Sequence, residues 1–427
     1  GTGDGLSWEN AMGMAEFLKM IKQKNGSQAE SDENADNVDD RDFYFIGGTY
    51  SVEDIKVEYS GYGSRVKFRV HGGYDPASKG TDVSSRNSET VFDGNRSSRF
   101  FTLGNQTELT FEGITFANLK GNGNEEGCVQ IAAGGSGESR VNFTNCTFRK
   151  CTGSGGQNPI LMVRKGLAKL NNVIFDECRA EGGVRGLIRL AQKESRVYLN
   201  ACNFVNNNTF GGGGFGLLAH LNDFGGNLCL HNVTFAGNDA GCGATGVVNG
   251  TGGMLIASST IVASNANPAI RCESDPKSGS RLVNSLIIQE QDRTAIDMSS
   301  SGRKLKSLGG NVIVGGINVN SQYEASSNDD TFADRAAAAA LKLEWKPESR
   351  HYLWNGMTIF TKFSLEQLRS AIKSYSNANT GKLYAGSTEV YDGSKAGEDF
   401  LNWLDSINAF DIYENSSAVW PGSYQGK

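Results

Sequence analysis

Proline is scarce in this chain, 6 residues in 427, against 55 glycines. That ratio excludes collagen-like and Pro-rich linker sequences and points to many tight turns. Histidine is scarcer still, with 4. There is no HExxH and no GDSGS-type serine motif; "GSGES" and "GSGGQ" do not qualify, so peptidase chemistry has no carrier. None of the 8 cysteines forms a CxxC pair, which removes zinc-ribbon spacing. No run of about 18 apolar residues occurs, so no transmembrane segment is expected. A basic excess is missing too. The net charge is −6 and spread along the chain, which argues against duplex nucleic acid as a partner. The glycine runs "GGGGFG" and "GNGNEEG" lack the strand–loop–helix setting of a phosphate cradle. No signal peptide precedes Gly1-Thr2-Gly3, so a trimmed, secreted or surface-bound mature chain is expected.

What is present is a repeat. "LTFEGITF" (109–116), "VNFTNCTF" (141–148), "AKLNNVIF" (168–175), "VYLNACNF" (197–204) and "LCLHNVTF" (228–235) share one pattern. Weaker copies start at 255, 281 and 306. A period of this length built from strand-like units predicts a solenoid. The third position reads Phe111, Phe143, Leu170, Leu199, Leu230, Ala257, Val283 and Leu308. The eighth reads Phe116, Phe148, Phe175, Phe204, Phe235, Val262, Ile288 and Ile313. These are two apolar ladders. Between them the apolar period breaks from two to three at Thr144-Asn145, Asn171-Asn172, Asn200-Ala201, His231-Asn232 and Ser258-Ser259. The break is a corner, because Asn tolerates the left-handed backbone of a sharp bend. Stacked coils would set Asn145 over Asn172, where side-chain amides bond in a ladder.

A third strand per coil follows, with the inward column Val129, Leu161, Ile188, Leu218, Val248, Ile270 and Ile296. Three short strands per coil predict an all-β, right-handed parallel β-helix. Cys146 and Cys202 fall at one inward position two coils apart, too far for a disulfide, and read as small buried hydrophobes. Cys151 and Cys178 occupy one loop position in adjacent coils, where a bridge is geometrically allowed.

The expected domains are an N-terminal cap and acidic loop (1–44), the β-helix (45–320) and a mixed α/β C-terminal appendage (321–427). "SWENAMGMAEFLKMIKQ" offers Ser7 as N-cap, Asn10 at N3 and an apolar stripe of Trp8, Met12, Ala15 and Leu18. The alternation Asp32, Asn34, Asp36 is calcium-loop-like, but Asn37 and Phe43 stand where an EF-hand needs Gly and Glu, so calcium is only weakly indicated. Helices are expected within 326–345, over 363–375 with the capping box Ser364/Gln367, and over 396–407.

"GTGDGLSW", "FIGGTY", "HGGYDP", the "TFxNCTF"-type repeats and "WPGSYQ" (420–425) resemble secreted or surface β-helix proteins of gut bacteria, in the pectate-lyase-like superfamily. The resemblance implies a substrate groove along the outer face of the third strand. Its outward residues are Gln130, Met162, Arg164, Arg189, Ala219, Asn249, Arg271, Glu273 and Asp297. Phe210 and Phe215, flanking four glycines, are placed to stack on a sugar ring or on the coil beneath.

Arg189 and Arg271 suit an acidic sugar, yet the carboxylate cluster of a calcium-dependent uronate lyase is missing. Glycoside hydrolysis needs paired carboxylates, and the Asp-Asp pairs 39–40 and 329–330 lie outside the repeat. Binding is therefore expected ahead of catalysis, which stays open as lyase or hydrolase chemistry. His220 falls on an inward position and reads as core; His231 sits at a bend and is expected to be exposed. His71 and His351 lie far off in sequence. The function expected is binding, with processing in second place, of a polysaccharide or glycoconjugate by a monomer. The alternatives are an adhesive module for a host or cell-surface protein, and an atypical polysaccharide lyase or glycoside hydrolase.

Overall fold

The computed structural model describes residues 12–354, apart from single positions and internal segments that include 26–40, 61–64, 78–85, 122–126, 133–137, 155–157, 182–185, 210–215, 221–225, 240–245, 273–279, 299–304, 319–322, 325–330, 334–342 and 347–350. The expected helices over 363–375 and 396–407 lie outside the described residues, as do Ser7, Asn10 and the 26–40 part of the acidic loop. The fold is a parallel β-helix. Each coil runs first strand, bend, second strand, loop, third strand, loop.

The second strands form an 11-stranded parallel sheet from Gly48–Ser51 to Thr331–Ala333. First and third strands stack on parallel ladders of their own. In one coil the two are a single strand, Leu161–Asn171, that bends at Gly166. Gly166 has φ +119, and a Cβ there would sit 2.4 Å from the Ser139 carbonyl oxygen, so only glycine suits the corner. Within the segment 326–345 the described parts are the strands Thr331–Ala333 and Leu343–Lys346; the latter pairs antiparallel with His351–Trp354.

Alternation in each strand sends every second side chain inward, where parallel register piles like on like. Phe116, Phe148, Phe175, Phe204 and Phe235 stack in turn, with ring centroids 5.0, 4.8, 4.7 and 4.4 Å apart. The third-strand column holds as read from the sequence, Val129 through Ile296. The other two columns slip by one after Leu230 and Phe235, and the second returns to the expected position at Ile313, which pairs with Ile287. Leu230 pairs with Ile256, which pairs with Leu282, and Phe235 pairs with Ile261, then Ile287. Ala257, Val262 and Ile288 are thus neighbours of the ladder positions. All three are buried as well, so alternation alone does not distinguish them.

The bends are left-handed where expected, with φ 54° at Asn145, 52° at Asn172 and 52° at Ala201. The amide ladder is present: Asn172 Nδ2 donates to Asn145 Oδ1 at 2.8 Å, and Asn200 Nδ2 to Asn171 Oδ1 at 2.7 Å. His231 continues the second of these rows, with Nδ1 2.6 Å from Asn200 Oδ1. Its expected exposure is therefore overturned: His231 is 3% exposed, and burial pulls its pKa down to about 3. A second left-handed corner follows five residues later at Asn118, Lys150, Glu177 and Asn206.

The seven described cysteines are buried thiols, and Cys151 and Cys178 are not bridged. They are more than small hydrophobes. Cys146 Sγ donates to the Phe111 carbonyl and Cys202 Sγ to that of Leu170, each at 3.4 Å. Burial pushes the Cys229 thiol up to about 12, which removes it from nucleophilic chemistry.

At the N-terminal end the helix Met14–Ile21 begins at Gly13, later than the sequence reading placed it. It buries Phe17, Leu18 and Ile21. Phe17 meets Phe43 and Phe45 edge-on at 4.9 and 5.1 Å. The helix thus shields the interior of the first coil from water. No helix among the described residues is long and apolar enough to cross a membrane.

Candidate functional site

Three consecutive first strands, Arg41–Ile46, Val66–Tyr74 and Thr107–Glu112, build an outward-facing cluster. Their inward residues Phe43, Phe68, Val70, Leu109 and Phe111 belong to the core. Register then sets Asp42 beside Arg69, and Tyr44 beside His71 beside Glu112. Parallel neighbours lie about 4.8 Å apart, so side chains in one row reach each other directly.

His71 lies at the centre. Its Nδ1 is 2.9 Å from Glu112 Oε2 and its Nε2 is 2.9 Å from Asp42 Oδ1. Arg69 clamps Asp42 from the far side with two bonds, Nε to Oδ1 at 2.9 Å and Nη2 to Oδ2 at 3.0 Å. Arg86 does the same for Glu112, with Nη1 2.6 Å from Oε1 and Nη2 2.9 Å from Oε2, and it also donates to Tyr74 Oη at 3.0 Å. Bidentate guanidinium–carboxylate pairs of this kind fix orientation as well as charge. The Tyr44 ring lies over His71 with centroids 5.1 Å apart and planes 18° from parallel, and it meets buried Tyr74 edge-on. Tyr44 is 41% exposed, the exposed large hydrophobic side chain among the described residues.

The charge states follow from these contacts. Burial alone would raise the Glu112 pKa, but hydrogen bonds from His71 and Arg86 outweigh it and hold the group at about 2. The Arg69 bonds lower Asp42. Burial opposes the charge on His71, yet its bonds to Glu112 and Asp42 prevail and raise its pKa. Burial and the Asp42 charge raise Tyr44, so its phenol stays protonated. Both carboxylates are held by arginines, and both nitrogens of His71 are engaged, so no unencumbered base is present in the cluster. The arrangement presents an aromatic face with charged rims.

Next to it on the same face, Glu138 gathers Arg65, Arg140 and Arg196, and Arg65 also reaches Glu108. Farther along, the outward row that runs through Asn142 is closed: Lys169, Tyr198, Cys229, Leu255 and Arg281 are buried. Among the described residues, the charged groups of this face gather around Asp42, Glu112 and Glu138.

The residues expected along the third strand are only partly brought together. Gln130, Met162, Arg189, Ala219, Asn249, Arg271 and Asp297 do share one register row. However, Gln130 and Met162 are buried and Arg189 is 4% exposed, so the row is covered at that end. Arg271 and Asp297 are adjacent and half-buried, as is Arg164. Glu273, Phe210 and Phe215 lie outside the described residues, and of the Asn249 and His220 side chains nothing is described. Among the described residues no group of three or more His, Cys, Asp or Glu is arranged to hold a metal ion.

In the sequence His71 stands far from the other histidines and is not singled out. The signal was the alternation in "RDFYF", "RVKFRVHGG" and "ELTFEG", but it becomes a cluster only once the register between those strands is known.

No protein-family model matches the chain, and no curated protein matches it. Among solved structures, a mannuronic-acid-specific polysaccharide lyase of family 6 from human gut microbiota is similar at 12% identity. That match covers 74% of this chain and 83% of the other, with a TM-score of 0.28. A likeness at that level carries no argument about activity. The ladders above define the class by themselves: the chain is a parallel β-helix protein.

Proposed function

We propose that this β-helix binds a complex carbohydrate on its outer face, as a secreted or cell-surface protein, with Tyr44 as the stacking platform. The observation that carries the reading is Tyr44 itself, exposed and backed by His71 in a ring of fixed charges. Sugar rings offer C–H faces to an aromatic and hydroxyls to charged neighbours. Asp42 and Arg69 stand at the rim for that second role. The row Asn249, Arg271, Asp297 on the third-strand face is the competing track.

The test is a glycan array probed with the full chain and with Tyr44→Ala. Loss of the stacking contact should weaken the strongest hit about tenfold. Binding kept in Tyr44→Ala but lost in Arg271→Ala would move the site to the third strand. A wild-type chain that binds no glycan would sink the carbohydrate reading.

A further inference from the structure

His71 faces two carboxylates at once. Asp42 Oδ1 and Glu112 Oε2 each lie 2.9 Å from one of its ring nitrogens. An ionised carboxylate only accepts, and a neutral imidazole carries one N–H. Both contacts are satisfied together only by the imidazolium, which donates from both nitrogens. Loss of the proton sets a nitrogen lone pair against a carboxylate lone pair at hydrogen-bonding distance. With the remaining proton on Nε2, the repulsion at Glu112 turns the ring toward Arg86 Nη2, the donor that lies 3.4 Å from Nδ1.

The charged and titratable groups around the ring come from each strand against it and from the segment that follows. They are Asp42 and Tyr44 on Arg41–Ile46, Arg69 and Tyr74 on its own strand, Glu112 on Thr107–Glu112, and Arg86, whose Nη2 lies 3.4 Å from Nδ1. The two arginines already hold the two carboxylates in bidentate pairs. The carboxylates are therefore the fixed walls and the imidazole is the movable part. Tyr44 lies flat on that imidazole.

We propose that the His71 proton gates the Tyr44 platform, so that ligand binding there is favoured at acid to neutral pH and falls once His71 loses its proton. This rests on the carbohydrate reading only for the nature of the ligand; the coupling between His71 and Tyr44 stands without it. The sign follows from the partners. They raise the His71 pKa, so the platform is intact below the ordinary histidine value and is lost as pH rises through the raised one.

The experiment has two readouts on the full chain. Side-chain NMR of isotope-labelled histidine and tyrosine follows His71, assigned with His71→Gln, and Tyr44 through one pH titration. The expectation is two protonated ring nitrogens at neutral pH, and a Tyr44 ring shift with the same midpoint as His71. Asp42→Asn lets an amide N–H donate to the neutral ring, and should move both midpoints down together. A neutral His71 at pH 7, or a Tyr44 signal that ignores the titration, overturns the proposal. The second readout is binding of the strongest array glycan across the same pH range. Binding that depends on Tyr44 but stays flat through the His71 midpoint also overturns the gate. If the two NMR midpoints coincide while no glycan binds at any pH, the gate stands and the carbohydrate reading fails.

Discussion

Asn207 and Cys178 do one job in adjacent coils. Cys178 Sγ donates to the Phe148 carbonyl at 3.2 Å, and Asn207 Nδ2 donates to the Phe175 carbonyl at 2.8 Å. Cys151 and Asn238 extend the row, to Phe116 at 3.4 Å and to Phe204 at 2.8 Å. Each donor meets the backbone carbonyl of the ladder phenylalanine one coil back, and Asn207 Oδ1 also accepts from the buried Cys178 N–H at 2.8 Å. Removal of the donor should then matter more than removal of its volume. Asn207→Leu is expected to cost about 1–3 kcal/mol, the penalty of a buried group left unsatisfied. Asn207→Cys should cost less, because a thiol can still donate. Urea midpoints of the two variants check the order.

The aromatic ladder makes a larger prediction. Phe175 lies between Phe148 and Phe204, with planes 7° and 3° from parallel. Phe175→Ala should lower stability by about 3–5 kcal/mol, and Phe175→Leu by clearly less. Chemical denaturation of both, with the same probe, is the measurement.

His231 gives an acid-sensitive term. Its folded pKa lies near 3, below the ordinary histidine value, because the ring is buried. Between these two values the unfolded chain binds a proton that the folded chain refuses, so stability falls as pH falls. His231→Asn would keep a donor toward Asn200 and extend the row of Asn171 and Asn200. The variant should lose stability less steeply between about pH 6.5 and 4 than the wild type, read as melting temperature against pH.

Glu112 acts at lower pH. Its carboxyl is held near 2, so its contribution is complete above the unfolded carboxylate value and disappears as pH falls from about 4.5 toward 2. Glu112→Gln should flatten that part of the acid-unfolding profile, and it should lower the His71 pKa by removing one of its two carboxylates. Histidine NMR reads the second effect.

Gly166→Ala tests the corner in the long strand. The added methyl would meet the Ser139 carbonyl oxygen at 2.4 Å on a backbone with φ +119. A loss of more than about 1 kcal/mol is expected, against near-neutrality for a glycine with open surroundings.

The Phe ladder is legible because large apolar residues alternate with polar ones there, as in "VNFTNCTF", and the third-strand column because a Val, Leu or Ile recurs at one position in every coil. Past Leu230 the pattern no longer distinguishes positions, since Ile256 and Ala257, or Ile287 and Ile288, are apolar on both faces. His231 was misjudged for a different reason: a bend reads as surface, whereas the amide row lies beneath it. The Asp42–His71–Glu112 cluster was invisible because it needs three strands in register. "RVKFRVHGG" alone shows only a one-sided strand with basic outward residues.

The amide row carries a last implication. From Asn145 to Asn172 is 27 residues, one full turn of the winding, and both ends carry the same left-handed residue with the same amide. Each storey hands the next an almost identical floor plan. The height of the stack can therefore change by whole storeys, through duplication or excision, while the geometry of the Tyr44 end is left untouched.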